Sequence, residues 1–276
     1  MNTNSIAKSL NPIHNLDGKN NFQEFILVDR NGKTSTRIIL FIPDAQLREE
    51  IICVHFLTRH VQLFLEQTVG VKYISRDKPW DFEIELSNTD KLIIEITSIA
   101  DEIDLFKAFK YQERLIEKSN YEKIELHELI KLNSLFPDYE IERQIEKHIE
   151  NKLQKTDLVP NPHFKGKFLF QSSIREDLDN FEKILKESIE KKVNKNHSEK
   201  EKVVLIIDNR TVSFDMENIV NHLNTLDDYF EKLPFKEVWL YTGYYSDYDG
   251  NNAEYSFIPL KIEDEKFEKL ISKLKE

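Results

Sequence analysis

The stretch Trp80-Asp81-Phe82-Glu83-Ile84-Glu85-Leu86, then Asn88-Thr89-Asp90, then Lys91-Leu92-Ile93-Ile94-Glu95-Ile96-Thr97 holds the residues best suited to chemistry. Side chains alternate between the two faces of a strand. Phe82, Ile84 and Leu86 therefore share one face, and Asp81, Glu83 and Glu85 the other. On the next strand Leu92, Ile94 and Ile96 lie together, opposite Ile93, Glu95 and Thr97. With both apolar triplets on one core, Asp81 and Glu95 fall on the same side of a hairpin. A buried carboxylate in Ile93-Ile94-Glu95-Ile96 must be paired or bind a cation. Two carboxylates from adjacent strands suit Mg²⁺, which takes hard oxygen ligands and keeps several waters. Such an ion orients a water and stabilises charge developing on a phosphodiester. The structural alternative is that Glu95 pairs with a Lys or Arg. Glu83 and Glu85 read as a solvated face.

The elements that must position these residues follow from periodicity. Phe22 to Val28 and Arg37 to Ile42 flank Asn31-Gly32, a hairpin signal. A largely apolar helix is expected from Gln46 to Thr68, stopped by Gly70. Three short strands follow, at 71–75, 81–86 and 91–99. Residues 101–155 read as two or three charged helices interrupted by Pro137, and 167–170 as a short strand. Ser173-Ile174-Arg175-Glu176 is a capping box opening a helix to Val193. Val203 to Ile207 reads as a central buried strand. It is followed by a helix over 215–232, strands at 237–242 and 254–260, and a closing helix over 264–275. The alternation predicts an α/β fold with a mixed central sheet flanked by helices. Its parts are a lead and hairpin at 1–45, a first core half at 46–100, a mainly helical insertion at 101–165 and a second core half at 166–276.

Composition narrows the class. Fifty acidic against 39 basic residues give a net charge of −11, which argues against a general nucleic-acid coat protein without excluding a local basic groove. Cys53 is the single cysteine, so no disulfide forms within the chain and a reducing compartment is expected. Met1 to Asn11 lack the apolar core of a signal peptide, and no apolar run approaches a membrane span. A cytoplasmic protein is expected.

Pro79-Trp80-Asp81, thirteen intervening residues and Glu95-Ile96-Thr97 resemble the signature of the PD-(D/E)XK nuclease superfamily. The order of elements over 46–97 and 173–242 is similar as well: a helix, a meander carrying the motif, a helix, then further strands. The resemblance implies a restriction-endonuclease-like core with 101–165 as a helical insertion. It also implies Asp81 and Glu95 as metal ligands, Glu66 as an auxiliary ligand from the helix, and Mg²⁺ as cofactor with Mn²⁺ as substitute. Nucleic acid, DNA or RNA, would be the substrate, in a setting such as bacterial defence. Here Trp80 separates the proline from the aspartate, and Thr97 stands where the family has a lysine. A neutral hydroxyl can help place a water but cannot supply the lysine's electrostatic stabilisation. Ile174, Leu178, Phe181, Leu185 and Ser188 form a helical stripe that Lys192 continues, so Lys192 is a candidate for the missing charge. Its other reading is a C-terminal cation favourable to the helix dipole, snorkelling along apolar surface. A second expectation keeps the fold without the chemistry, as a binding or scaffolding subunit.

The eight histidines show no HExxH spacing and no cysteine partner, which disfavours zinc. Asp208-Asn209-Arg210 follows a buried strand and reads either as a site or as a turn and cap. Tyr241, Tyr244, Tyr245 and Tyr248 suit base stacking, a protein partner or core packing alike. The helices of 101–155 offer a surface for a partner or a homodimer.

Overall fold

Val203–Asn209 has no charged residue before Asp208, and every one of its residues is buried. A strand that is apolar on both faces must lie inside a sheet covered on both sides, and its neighbours bear this out. In the computed structural model the described residues are 22–28, 34–40, 42, 44–65, 70–77, 79–87, 91–101, 103–166, 168, 171–173, 178–214, 216–246 and 253–275. They fall into two compact units, one from 22–101 with 171–275 and one from 103–168.

The strands are β1 (Phe22–Val28), β2 (Thr34–Leu40), β3 (Val71–Arg76), β4 (Phe82–Leu86), β5 (Lys91–Ile99), β6 (Lys123–Glu125), β7 (Leu158–Pro160), β8 (Gln171–Ser173), β9 (Val203–Asn209), β10 (Glu237–Ser246) and β11 (Ala253–Lys261). The helices are α1 (Ala45–Phe64), α2 (Ile103–Ser119), α3 (Leu126–Leu135), α4 (Tyr139–Glu150), α5 (Leu178–Val193), α6 (Met216–Leu223), α7 (Asp227–Glu231) and α8 (Asp264–Lys275).

The larger unit is built on a six-stranded sheet ordered β11-β10-β9-β5-β4-β3. The meander β3-β4-β5 is antiparallel, β5, β9 and β10 run parallel, and β11 returns antiparallel. A mixed sheet with helices on both faces is the fold class that the alternation predicts. Along β9 the side chains divide between two cores. Val204 and Ile206 join Phe82, Ile84, Ile94 and Ile96 beneath Ile52, Phe56 and Leu57 of α1. Val203, Leu205 and Ile207 pack with Phe181, Leu185 and Ile189 of α5 and with Ile219 and Phe230 of α6 and α7. A separate three-stranded sheet, β2-β1-β8, pairs β1 antiparallel to β2 and parallel to β8.

Several boundaries differ from expectation. Helix α1 is capped by Asp44, whose carboxylate accepts the Leu47 N–H at 2.8 Å, and it ends at Phe64 rather than Thr68. Ser173 lies in β8, while residues 174–177, where the expected helix would open, and 167, 169 and 170 of the expected strand lie outside the described residues. The helix expected over 215–232 is two helices. Between them the Thr225 hydroxyl donates to His222 O at 2.7 Å, the local bonding by which short polar side chains compete with helix continuation.

The smaller unit packs α2, α3 and α4 with the two-stranded ribbon β6-β7 around Leu115, Ile124, Leu129, Leu132, Ile141 and Val159. Asp138 caps α4, accepting from the Glu140 and Ile141 N–H groups. The ribbon escapes sequence reading because three-residue strands are too short to show alternation. Among the described residues no helix is long and apolar enough to cross a membrane.

The α1 core carries one titratable group with a readable consequence. His55 stacks on Tyr255 with ring centroids 3.9 Å apart, and its Nδ1 lies 2.9 Å from the Tyr241 hydroxyl. Burial, reinforced by the charges of Arg48 and Arg59, pushes its pKa from the ordinary 6.5 down to about 3. The folded state thus resists a proton that the unfolded chain accepts. Stability is fully present above pH 6.5 and is lost as pH falls towards 3. Urea titrations should show that slope in the parent, and His55→Phe should flatten it by a few kcal/mol across the window. An unchanged slope in the variant would locate the acid sensitivity elsewhere.

Candidate functional site

The Asp81-bearing end of β4 and the middle of β5 face each other in the antiparallel ladder, where Phe82 pairs with Ile94 and Glu83 with Ile93. That register carries Asp81, one residue before β4, opposite Glu95. The two are reciprocally bonded: Asp81 Oδ2 accepts the Ile96 N–H at 2.6 Å, and Glu95 Oε2 lies 3.3 Å from the Asp81 N. The apolar triplets of β4 and β5 point to α1, so Glu95 is turned to the α5 side and is only 1% exposed.

A carboxylate so buried needs compensation, and α5 provides it. Lys192 Nζ donates to Glu95 Oε1 at 2.5 Å, and Lys195 Nζ reaches the same oxygen at 2.7 Å. Lys195 lies just beyond α5, where a final turn keeps it near Lys192: the Lys195 N–H bonds Lys192 O at 3.3 Å. Lys200 secures that turn, donating to Val193 O and Lys195 O. The Lys192 head group is therefore on Glu95 rather than only capping the helix.

Thr97, two residues beyond Glu95, places its hydroxyl 2.9 Å from that of Ser188 on α5. Ser188 precedes Lys192 by four residues, one helical turn, so the two lie on one face of α5. The charge absent at Thr97 is thus present about one helical turn away, on a different element.

Glu49, on the second turn of α1, joins this end of the sheet. Its carboxylate lies 3.8 Å from Arg76 and within the electrostatic reach of Asp81 and Lys192. Burial and the Asp81 charge raise the Glu49 pKa, against the pull of Arg76 and Lys192. Burial likewise raises Asp81, helped by Glu95 and opposed by the Ile96 N–H bond and the two lysines. Burial would raise Glu95 too, but the Lys192 and Lys195 hydrogen bonds outweigh it and hold its pKa below the ordinary range. Crowded carboxylates with raised pKa values are a feature of functional sites.

The structure thus brings Asp81, Glu95, Thr97 and Lys192 together, while Glu66 lies outside the described residues. Sequence reasoning missed Glu49, Arg76 and Lys195. Glu49 had a signal, since it stands four residues before buried Cys53 on the same helix face. Glu83 and Glu85 form surface pairs with Lys91 and Lys72. Tyr241 is fully buried beside His55, so it belongs to the core and is unavailable for stacking on a base. Tyr248 and the side chains of Tyr244 and Tyr245 lie outside the described residues. Asp208, the penultimate residue of β9, is in a buried ion pair with Arg48. Asn209, which ends the strand, accepts the Thr211 N–H at 3.0 Å in the turn that follows.

The donor set can be weighed against a metal. Among the described residues no group of three or more His, Cys, Asp or Glu side chains is placed to hold a metal ion. Zinc of the structural type, which wants four protein ligands, has no home there. Mg²⁺ needs one or two carboxylates and fills its sphere with water and phosphate oxygen. Asp81 and Glu95 supply two carboxylates, with Glu95 Oε1 bonded to Lys192 and Lys195. Comparison of the chain with protein-family models, curated proteins and solved structures found no match.

Proposed function

We propose that the chain is a Mg²⁺-dependent phosphodiesterase acting on nucleic acid, of the PD-(D/E)XK kind. The observation that carries this reading is the interlocked pair Asp81 and Glu95 with two lysines delivered to it from α5. Asp81 and Glu95 would hold the ion, with Glu49 as the helix carboxylate beside them. When bound, the ion supplies a polarised water and stabilises the charge developing on the phosphate. Lys192 and Lys195 would supply the motif lysine's charge, since a cation on a phosphate oxygen or the attacking water lowers the barrier electrostatically. Thr97, bonded to Ser188, orients rather than neutralises.

One observation favours a second reading. Glu95 Oε1 already receives two ammonium groups, which is also how a nuclease fold kept only for binding would satisfy a buried carboxylate. The experiment that separates the two uses plasmid, single-stranded DNA and RNA with Mg²⁺, Mn²⁺ or EDTA. Metal-dependent cleavage is expected in the parent, and Asp81→Asn should lower it by about 10²–10³-fold. A parent that neither cleaves any of the three nor gives a Mg²⁺ binding heat returns the chain to the binding reading.

A further inference from the structure

A second polar system crosses the sheet beneath the candidate site. Arg48 of α1 grips Asp208 of β9 in a bidentate pair, Nε to Oδ2 at 2.6 Å and Nη2 to Oδ1 at 2.7 Å. Both residues are buried, at 3% and 0% exposure. Asp208 Oδ2 also accepts the Ser98 hydroxyl at 3.2 Å, from the residue that faces it in the β5–β9 ladder. The backbone carbonyl of that same Ser98 accepts the Ser188 hydroxyl at 3.2 Å, from α5 on the opposite face. Ser188 has one hydroxyl proton and gives it to this carbonyl, so Thr97 is the donor in the Thr97–Ser188 contact.

These bonds do more than fill space. A buried ion pair is no more stabilising than well-packed apolar residues of the same volume, but it fixes direction where apolar contact does not. Glu49 follows Arg48 immediately in α1, and Lys192 follows Ser188 by one turn of α5. Both helices are thereby tied to one residue of the strand that carries Glu95.

We infer that Arg48, Asp208, Ser98 and Ser188 are positioning residues, which hold α1 and α5 to Ser98 so that Glu49 and Lys192 arrive together at Asp81 and Glu95. The functional meaning of this inference rests on the metal-site reading; the mechanical linkage does not.

The test uses the whole chain and two readouts. Reductive methylation with mass spectrometry gives the reactivity of Lys192 relative to exposed Lys191 beside it. Calorimetry with Mg²⁺ gives metal affinity. Ser98→Ala keeps the Arg48–Asp208 pair but cuts its bond to β5, Ser188→Ala cuts the α5 arm, and Ser188→Thr retains the hydroxyl. Supporting groups around a metal site typically govern affinity by 10–100-fold, so both Ala variants should weaken Mg²⁺ binding about tenfold. Ser188→Ala should also raise the Lys192-to-Lys191 ratio about threefold, with Ser188→Thr returning both readouts to within about twofold of the parent. Ser98→Ala keeps the Ser98 carbonyl that holds Ser188 and should leave that ratio unchanged. A folded Ser188→Ala protein with the parent's labelling ratio overturns the inference, whatever the metal does. A parent without Mg²⁺ binding sinks the metal-site reading alone, and the labelling ratio then decides the positioning by itself.

Discussion

Removing both site lysines, Lys192→Ala with Lys195→Ala, is expected to lower Mg²⁺-dependent cleavage by on the order of 10³-fold. Each single variant should lose less, because both ammonium groups sit on the same Glu95 oxygen and either retains part of the field there. The stability consequences are asymmetric, and that asymmetry checks the geometry. Glu95 is 1% exposed, so without the lysines a buried carboxylate loses both of its cations and keeps the Asp81 N–H, a change that costs about 3–5 kcal/mol. In Glu95→Gln the lysines are left instead, and their side chains, 16% and 41% exposed, can turn to water. That change should cost about 1–2 kcal/mol, mostly the lost charge-assisted hydrogen bonds. Urea unfolding of the three proteins measures the order, and a more damaging Glu95→Gln would contradict this account. The pH dependence has a definite sign. The Glu95 pKa is held below the ordinary 4.5, so the pair's contribution is present above pH 4.5 and is lost as pH falls through the depressed folded value.

The second large effect is expected at the Arg48–Asp208 pair. Arg48→Met leaves the fully buried Asp208 carboxylate without its cation, with the Ser98 hydroxyl still bonded to it. Breaking one side of such a pair costs about 3–5 kcal/mol. Replacing both partners, Arg48→Met with Asp208→Leu, should recover most of that loss, because the desolvated charge goes with its partner. A double-mutant cycle in urea therefore predicts a large coupling energy. Losses that simply add would mean the two residues do not share their energetics. Metal affinity should not recover with stability, because the apolar pair no longer directs α1 and β5 together. That separation of stability from affinity distinguishes an orienting contact from a merely cohesive one.

Much of the frame is legible in the residues themselves. Period-two alternation assigns the faces of β4 and β5, and the buried apolar triplets of the α1 core match that assignment. Continuous apolar sequence identifies β9 as interior. Pro137 and Asp138 punctuate α3 and α4 because proline and an N-cap act locally. Boundaries were less legible where a local bond overrides periodicity, as at Thr225, where a side chain bonds backwards and breaks a helix.

The Asp81–Glu95 pairing lies within this local reach, since hairpin residues separated by a short turn inherit their register from the turn and the apolar pattern. Sequence by itself therefore determined the mixed sheet, the shared face of Asp81 and Glu95 and the neutral residue at Thr97. Tertiary structure alone decided what surrounds them. Lys192 and Lys195 meet Glu95 across 97 and 100 residues of chain, and Arg48 meets Asp208 across 160. No periodicity encodes such contacts, because they depend on how α1 and α5 dock on opposite faces of the sheet. The helical stripe could propose Lys192 but not choose between a capping cation and a partner for Glu95. Burial of Glu95 on the α5 side makes that choice, since a carboxylate removed from water draws the nearest ammonium groups to it.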